Sequence, residues 1–195
     1  TKQHLNALYH LMRFVFGTKK RGLKFGTQAE LKLVAYIDAA FSTHYDGKSQ
    51  SGMVMGLGED LQSMVVSRSG KIKLVCGSST DAEVTAVHKY VEQVLWADNL
   101  FREMTAGRIV GEAETVTIFQ DNLSALVLEH NGAKPFSKAS HTNRRFFKVR
   151  QLVNAQRVKL EWKRTLGMIA DPHTRITSGK ELTRQMESYM EIDQG

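Results

Sequence analysis

Apolar side chains return at three- and four-residue steps between residues 1 and 17, as Leu5, Leu8, Leu11, Met12 and Val15. That spacing predicts an amphipathic helix. Gly17 ends it, and a basic turn follows, Lys19-Lys20-Arg21-Gly22. The period then changes. Leu31 to Phe41 is apolar and β-prone, broken by one carboxylate at Asp38. Residues 43–52 (THYDGKSQSG) are turn-rich, and strands are expected at Met53–Leu57 and Gln62–Ser67. Basic residues alternate with Ile72, Leu74 and Cys76 over Lys71–Cys76, expected as the third strand resuming after a kink at Ser69-Gly70, with a separate strand as the alternative.

From Thr80 to Met104 the period is helical, through Val84, Val87, Val91, Val94, Leu95 and Leu100, with Thr80 as a candidate cap. A strand, VTIFQ, runs from Val116 to Asp121. A second helix follows through Ala125, Leu126 and Leu128, broken by Gly132 and Pro135. A basic helix spans Thr142 to Ala155 and buries Phe146, Val149 and Val153. Val158 to Trp162 alternates as a last strand, and residues 168–175 start a short helix. The order is helix, three strands, helix, strand, two helices, strand, helix. The three leading strands form an antiparallel meander, and a strand reached through a long helix pairs in parallel. Phe146, Phe147 and Trp162 read as core residues in preference to stacking platforms.

Composition narrows the class. A length of 195 residues suits one domain with an appendage, and 42% hydrophobic with 24% charged residues is globular. The longest apolar run is the five residues Leu33 to Ile37, against the ~20 a membrane helix needs. A single cysteine, Cys76, excludes an internal disulfide framework and a multi-cysteine zinc site; a reducing compartment fits it. The net charge of +7 is concentrated. Residues 134–164 hold ten basic side chains, among them Arg144, Arg145 and Lys148, against the one acid Glu161. A positive stripe on a near-neutral body is the footprint of a phosphate-backbone binder, although a solvated helix face in a basic protein has the same composition.

Four acids stand at unusual places. Asp38 interrupts a strand, Glu83 sits in the first turn of the long helix, Asp121 ends a strand and opens a helix, and Asp171 begins the C-terminal helix. A lone carboxylate in a buried strand costs several kcal/mol unless it is paired or metal-bound. Oxygen donors that converge attract Mg²⁺ or Mn²⁺, and two such ions clamp both oxygens of a phosphodiester displacement. Each acid also has a local explanation. Thr80-Asp81-Ala82-Glu83 reads as a capping box, Asp121 as an N-cap and Asp171 as a partner of a helix dipole.

Seven short motifs in order carry a family resemblance. They are Tyr36-Ile37-Asp38-Ala39, Ser49-Gln50-Ser51-Gly52, Ser78-Ser79-Thr80-Asp81-Ala82-Glu83, Phe119-Gln120-Asp121-Asn122-Leu123-Ser124-Ala125, Ser140-His141-Thr142, Arg144-Arg145-Phe146-Phe147 and Ile169-Ala170-Asp171. With Phe16-Gly17-Thr18-Lys19 before them, they make the chain resemble the ribonuclease H domain of reverse transcriptases from copia-type long-terminal-repeat retrotransposons. The resemblance implies an α/β ribonuclease H-like fold, a five-stranded mixed sheet flanked by helices. It implies residues 1–30 as a connecting helix and turn from an upstream polymerase domain, 31–178 as the ribonuclease H-like domain and 179–195 as a polar tail. Asp38, Glu83, Asp121 and Asp171 become the catalytic, metal-binding carboxylates for two Mg²⁺ ions, with Mn²⁺ able to substitute. The implied reaction is hydrolysis of the RNA strand of an RNA–DNA hybrid, in an intracellular, cytoplasmic setting that includes virus-like particles. Ser79, Thr80 and Asn122 are expected near the RNA, Arg144, Arg145 and Lys148 near the DNA backbone, and His141 among the nucleic-acid-binding residues. The competing expectations are a non-catalytic nucleic-acid-binding or connection domain of the same fold and a related nuclease acting on DNA or structured RNA.

Overall fold

The computed structural model of the chain describes residues 1–23, 25, 32–58, 61–105, 115–126 and 140–192, with the side chains at 140–144, 146 and 188 outside that description. Its centre is a five-stranded mixed sheet. Strand β2 (Leu33–Ala40) pairs antiparallel with β3 (Gln50–Leu57), and β3 with β4 (Ser63–Lys71). On its other side β2 pairs in parallel with β5 (Val116–Gln120), and β5 with β6 (Val158–Trp162). The order is β4-β3-β2-β5-β6. The parallel connections run through α2 (Ser79–Met104) and, before β6, α3 (Ser140–Asn154).

Period-two alternation divides the sheet's side chains between two cores. Leu33, Ala35, Ile37, Met53, Met55, Val116, Ile118, Val158 and Leu160 pack on Val87, Val91, Val94 and Leu95 of α2 and on Val149 of α3. The opposite parity, Val34, Tyr36, Val54 and Phe119, packs on Met168, Ile169, Ala170, Met186 and Tyr189. Helices therefore cover both faces, because α4 (Gly179–Tyr189) supplies Met186 and Tyr189.

Several expectations change. Strand β4 runs unbroken through Ser69-Gly70 to Lys71, which pairs with Gln50, and residues 72–76 are not strand. Gly70 is no kink: its bare Cα leaves room for Lys89, whose Nζ would stand 2.9 Å from an added Cβ and which donates to the Gly70 carbonyl. After Thr177, where the polar sequence leaves a helix or a frayed end open, the chain forms α4, capped by Ser178 Oγ accepting from Glu181 N at 3.3 Å. The helix leads into β7 (Met190–Ile192), paired antiparallel with β1 (Arg21–Leu23). The N-terminal helix α1 forms over Lys2–Thr18, but none of its residues is buried.

Phe147 and Trp162 are not core residues, with 58% and 47% of their surfaces exposed. On α3 the inward positions are Val149, Leu152 and Val153, and a side chain two residues from Val149 points away from them. Trp162 shares the parity of Val158 and Leu160 but closes the strand at its end, and its indole Nε1 donates to the Asp121 carbonyl at 3.2 Å. Of the helix expected after β5, residues 123–126 are helical. Leu128, Gly132 and Pro135 lie outside the described residues, as do Leu31 of the first strand and the side chain of Phe146.

Candidate active site

Two of the four acids meet because their strands are parallel neighbours. Tyr36 of β2 pairs with Phe119 of β5; two residues further on, the same register sets Asp121 beside Asp38. Asp38 has the parity of Val34 and Tyr36, so it faces the core that includes residues 168–170. The carboxyl ends of parallel strands are where α/β sheets build sites. Asp171 reaches the same place from a one-turn 3₁₀ helix, Asp171–His173. Oxygen atoms from Asp38, Asp121 and Asp171 lie within 4.8 Å of one another.

Glycine makes this approach possible. Gly52 pairs with Asp38 across β2 and β3. A Cβ at Gly52 would stand 2.6 Å from His173 Cβ, 2.9 Å from Thr174 Cγ2 and 3.0 Å from the Ala170 carbonyl oxygen. The 170–174 segment therefore lies directly on the bare backbone of β3. Strand β4 ties it down: Ser69 Oγ donates to the His173 carbonyl at 2.5 Å, and His173 Nε2 is 3.2 Å from Ser67 Oγ.

Each carboxylate has a partner that orients it. Thr165 Oγ1 donates to Asp121 Oδ2 at 2.8 Å. The Thr174 hydroxyl bonds to Asp38 Oδ2. Arg175 Nη2 is 2.5 Å from Asp171 Oδ1. Burial pushes the Asp38 carboxyl up to about 6; the Thr174 hydrogen bond opposes this, the charges of Asp171 and Asp121 add to it, and Arg175 relieves it. Asp171 is also raised, by burial first and by Asp121, against the pull of Arg175. Three partly desolvated carboxylates that repel one another suit a hard divalent cation, which offsets both costs and takes oxygen ligands.

The local explanations of the acids fare differently. Helix α2 is capped by Ser78, not Thr80: Asp81 N donates to Ser78 Oγ at 3.1 Å, and Asp81 Oδ2 accepts from Gly77 N at 2.9 Å. The capping pair is thus Ser78 and Asp81, which leaves Glu83 out of it. Glu83 lies further along the first turns of α2, 5% exposed, and is not within the 4.8 Å group. Asn122, not Asp121, caps the turn after β5, its Oδ1 accepting from Ala125 N at 3.0 Å.

Ser79 is exposed and Thr80 half-buried at the start of α2. On α3, Arg145 Nη1 donates to Thr85 Oγ1 at 2.9 Å, and Lys148 pairs with Glu92. Both basic side chains thus also brace α3 against α2. The side chains of His141 and Arg144 lie outside the described set. Nothing in the sequence pattern marks Thr165, Gly52, Thr174 or Arg175 as strongly as it marks the acids. For Thr174 and Arg175 the available signal is their position, three and four residues after Asp171.

No family model matches the chain. A retrovirus-related Pol polyprotein from transposon RE1 of Arabidopsis thaliana is 27% identical over 179 residues, 91% of this chain and 12% of that protein. The transposon Ty1-H Gag-Pol polyprotein of Saccharomyces cerevisiae is 28% identical over 131 residues, 63% of this chain and 7% of that protein. The chain therefore spans only about a tenth of the curated relatives it matches. Among solved structures, LC11-RNase H1, isolated from compost by a metagenomic approach, superposes with a TM-score of 0.51 at 15% identity, over 73% of this chain and 92% of that one. That likeness shows the fold.

Proposed function

We propose that this chain, a ribonuclease H-fold relative of retrotransposon Pol polyproteins, hydrolyses the RNA strand of RNA–DNA hybrids as part of a reverse transcriptase. The observation that carries the reading is the convergence of Asp38, Asp121 and Asp171 at the ends of β2 and β5. The two aspartates at adjacent strand ends and the third on a turn pinned to β3 and β4 give a preorganised set of hard oxygen donors. Asp38, Asp121 and Asp171, with Glu83 from α2, would hold two Mg²⁺ ions, for which Mn²⁺ would substitute. When bound, such ions supply an activated water and neutralise charge on the departing 3′-oxygen.

The chain's own residues orient and position. Thr165 and Thr174 each aim one carboxylate, so the ligand oxygens are set before substrate arrives. Water displaces the 3′-oxygen in line and leaves a 5′-phosphate. Ser79, Thr80 and Asn122 are short polar groups suited to the 2′-hydroxyls of a minor groove, and His141 is kept as a nucleic-acid-binding residue without a strand assigned to it. Arg144, Arg145 and Lys148 of α3 serve the DNA backbone. The apolar residues of α1, exposed throughout, suit packing on an upstream polymerase domain.

Substrate competition tests the assignment. The protein is expected to cut the RNA of a hybrid and to leave duplex DNA and duplex RNA intact at equal concentration. Cleavage of duplex DNA instead would make it a nuclease of another preference, and tight hybrid binding without cleavage would make it a binding module.

The basic helix gives a separate expected result. Arg144→Ala with Lys148→Ala should raise KM several-fold with little change in kcat. It should also lower the slope of log KM against log salt by about 1 for each phosphate that is no longer neutralised. An unchanged salt slope would remove these two residues from the interface.

A further inference from the structure

The acidic cluster already has a cation beside it. Arg175 Nη2 stands 2.5 Å from Asp171 Oδ1, and the Arg175 backbone N–H donates to the Asp171 carbonyl at 3.2 Å. The backbone bond folds residue 175 back over residue 171, so this pairing is built into the turn. The two side chains differ in access: that of Asp171 is 9% exposed and that of Arg175 47%. The carboxylate is fixed in the site, and the guanidinium reaches it from the solvent side on a flexible stem. Residues 174 and 175 divide the work. The Thr174 hydroxyl serves Asp38 as a short, buried, neutral donor, and Arg175 brings the charge.

The charge is felt across the cluster. Arg175 opposes the rise of both Asp38 and Asp171, and all three aspartates raise its own basicity. A guanidinium has donors only and cannot ligate a metal. A divalent ion on Asp171 would meet it as a like charge a few ångströms away, in a partly desolvated site where such repulsion is strong. The two cations therefore compete for one carboxylate.

We infer that Arg175 is a resident counterion of the aspartate cluster, displaced from Asp171 when a divalent cation binds, and that it thereby sets the metal affinity of the site. This rests on the reading that Asp38, Asp121 and Asp171 hold such a cation. An ion pair with a purely structural role would leave metal affinity unchanged when removed.

The test is metal binding, with no substrate present. Mn²⁺ is titrated into the parent, Arg175→Gln, Arg175→Lys and Asp121→Asn at pH 8, with heat of binding and free Mn²⁺ by electron paramagnetic resonance as readouts. Arg175→Gln should bind Mn²⁺ about three- to tenfold more tightly than the parent, the size of effect expected for removing one charge near a partly exposed site. Its melting temperature should be lower in EDTA and rise further on adding Mn²⁺. Arg175→Lys, which keeps the charge, should bind more like the parent than like Arg175→Gln.

Equal or weaker binding by Arg175→Gln, with parent binding lost in Asp121→Asn, would overturn the counterion role and leave the metal site standing. Absence of Mn²⁺ binding by every form would overturn both. If Arg175→Gln does not fold, the parent decides: the Nε–H resonance of Arg175 should shift on saturation with Mg²⁺, and an unmoved resonance contradicts displacement.

Discussion

Asp38→Asn should make the metal-free protein more stable while abolishing RNA cleavage. Asp38 is buried in β2, and its carboxyl is raised to about 6 from an ordinary value of 3.8. The fold thus favours the protonated form, and ionising Asp38 costs stability. That cost is absent below the ordinary pKa, grows between about pH 4 and 6 as the unfolded chain ionises first, and is complete above the folded value. Asparagine has nearly the same size, still accepts from Thr174 and carries no charge. In EDTA at pH 8 the variant should therefore gain on the order of 1–3 kcal/mol, shrinking toward zero by pH 4. Cleavage should fall about a thousandfold or more, as losing ~4 kcal/mol of electrostatic stabilisation implies. Urea denaturation at the two pH values, beside hybrid cleavage at pH 8, checks both halves. Equal stability at pH 8 would mean that Asp38 bears no electrostatic cost.

The second large effect comes from a residue with no chemistry of its own. Gly52→Ala should cost stability modestly and activity severely. The added Cβ falls inside contact distance of His173 Cβ, Thr174 Cγ2 and the Ala170 carbonyl. None of these is the free end of a flexible side chain, so the 170–174 segment must lift from β3. Overpacking of this kind costs about 1–3 kcal/mol. The same movement separates Asp171 from Asp38 and draws Thr174 away from the Asp38 carboxylate. A displacement near 1 Å at a reacting centre can lower turnover about a hundredfold. A kcat loss well beyond the stability loss is the expected signature, read from urea midpoints and steady-state kinetics. Wild-type kcat in a folded Gly52→Ala protein would show that the 170–174 turn does not depend on this packing.

The elements differ in how plainly the sequence declares them, for physical reasons. Strand β6 and helix α2 have strong periods, and both form close to where those periods place them. The five-stranded mixed sheet and its flanking helices agree with the resemblance carried by the short motifs. Strand β4 is longer than its sequence suggests, because glycine and serine look like punctuation. Here Gly70 instead makes room for Lys89 from α2, a partner distant in sequence. The polar composition of α4 leaves a helix and a frayed end equally open; its burial comes from Met186 and Tyr189, with Leu182 beside them, meeting the second core. Trp162 resembles a core residue because strand parity gives a side chain's face and not where its cover ends.

The acids stand out singly because a carboxylate in a strand is costly. Their meeting is a matter of register: β2 and β5 must be parallel neighbours for Asp38 and Asp121 to align. The supporting residues are harder to see. Thr165 and Thr174 are ordinary threonines until their hydroxyls are found on Asp121 and Asp38. Gly52 looks like part of a turn-rich stretch, yet it is the surface on which Asp171 is brought in.

Cleavage of the RNA strand of a hybrid by this aspartate cluster, with the help of divalent metal, can be measured in a single assay. A labelled RNA–DNA hybrid is incubated with the protein in Mg²⁺ or Mn²⁺, beside Asp121→Asn and an EDTA control. RNA fragments bearing 5′-phosphates are expected from the parent with metal, and an intact RNA strand in the other two reactions. An intact RNA strand in every reaction, or equal cutting by Asp121→Asn, would contradict a metal-dependent aspartate site.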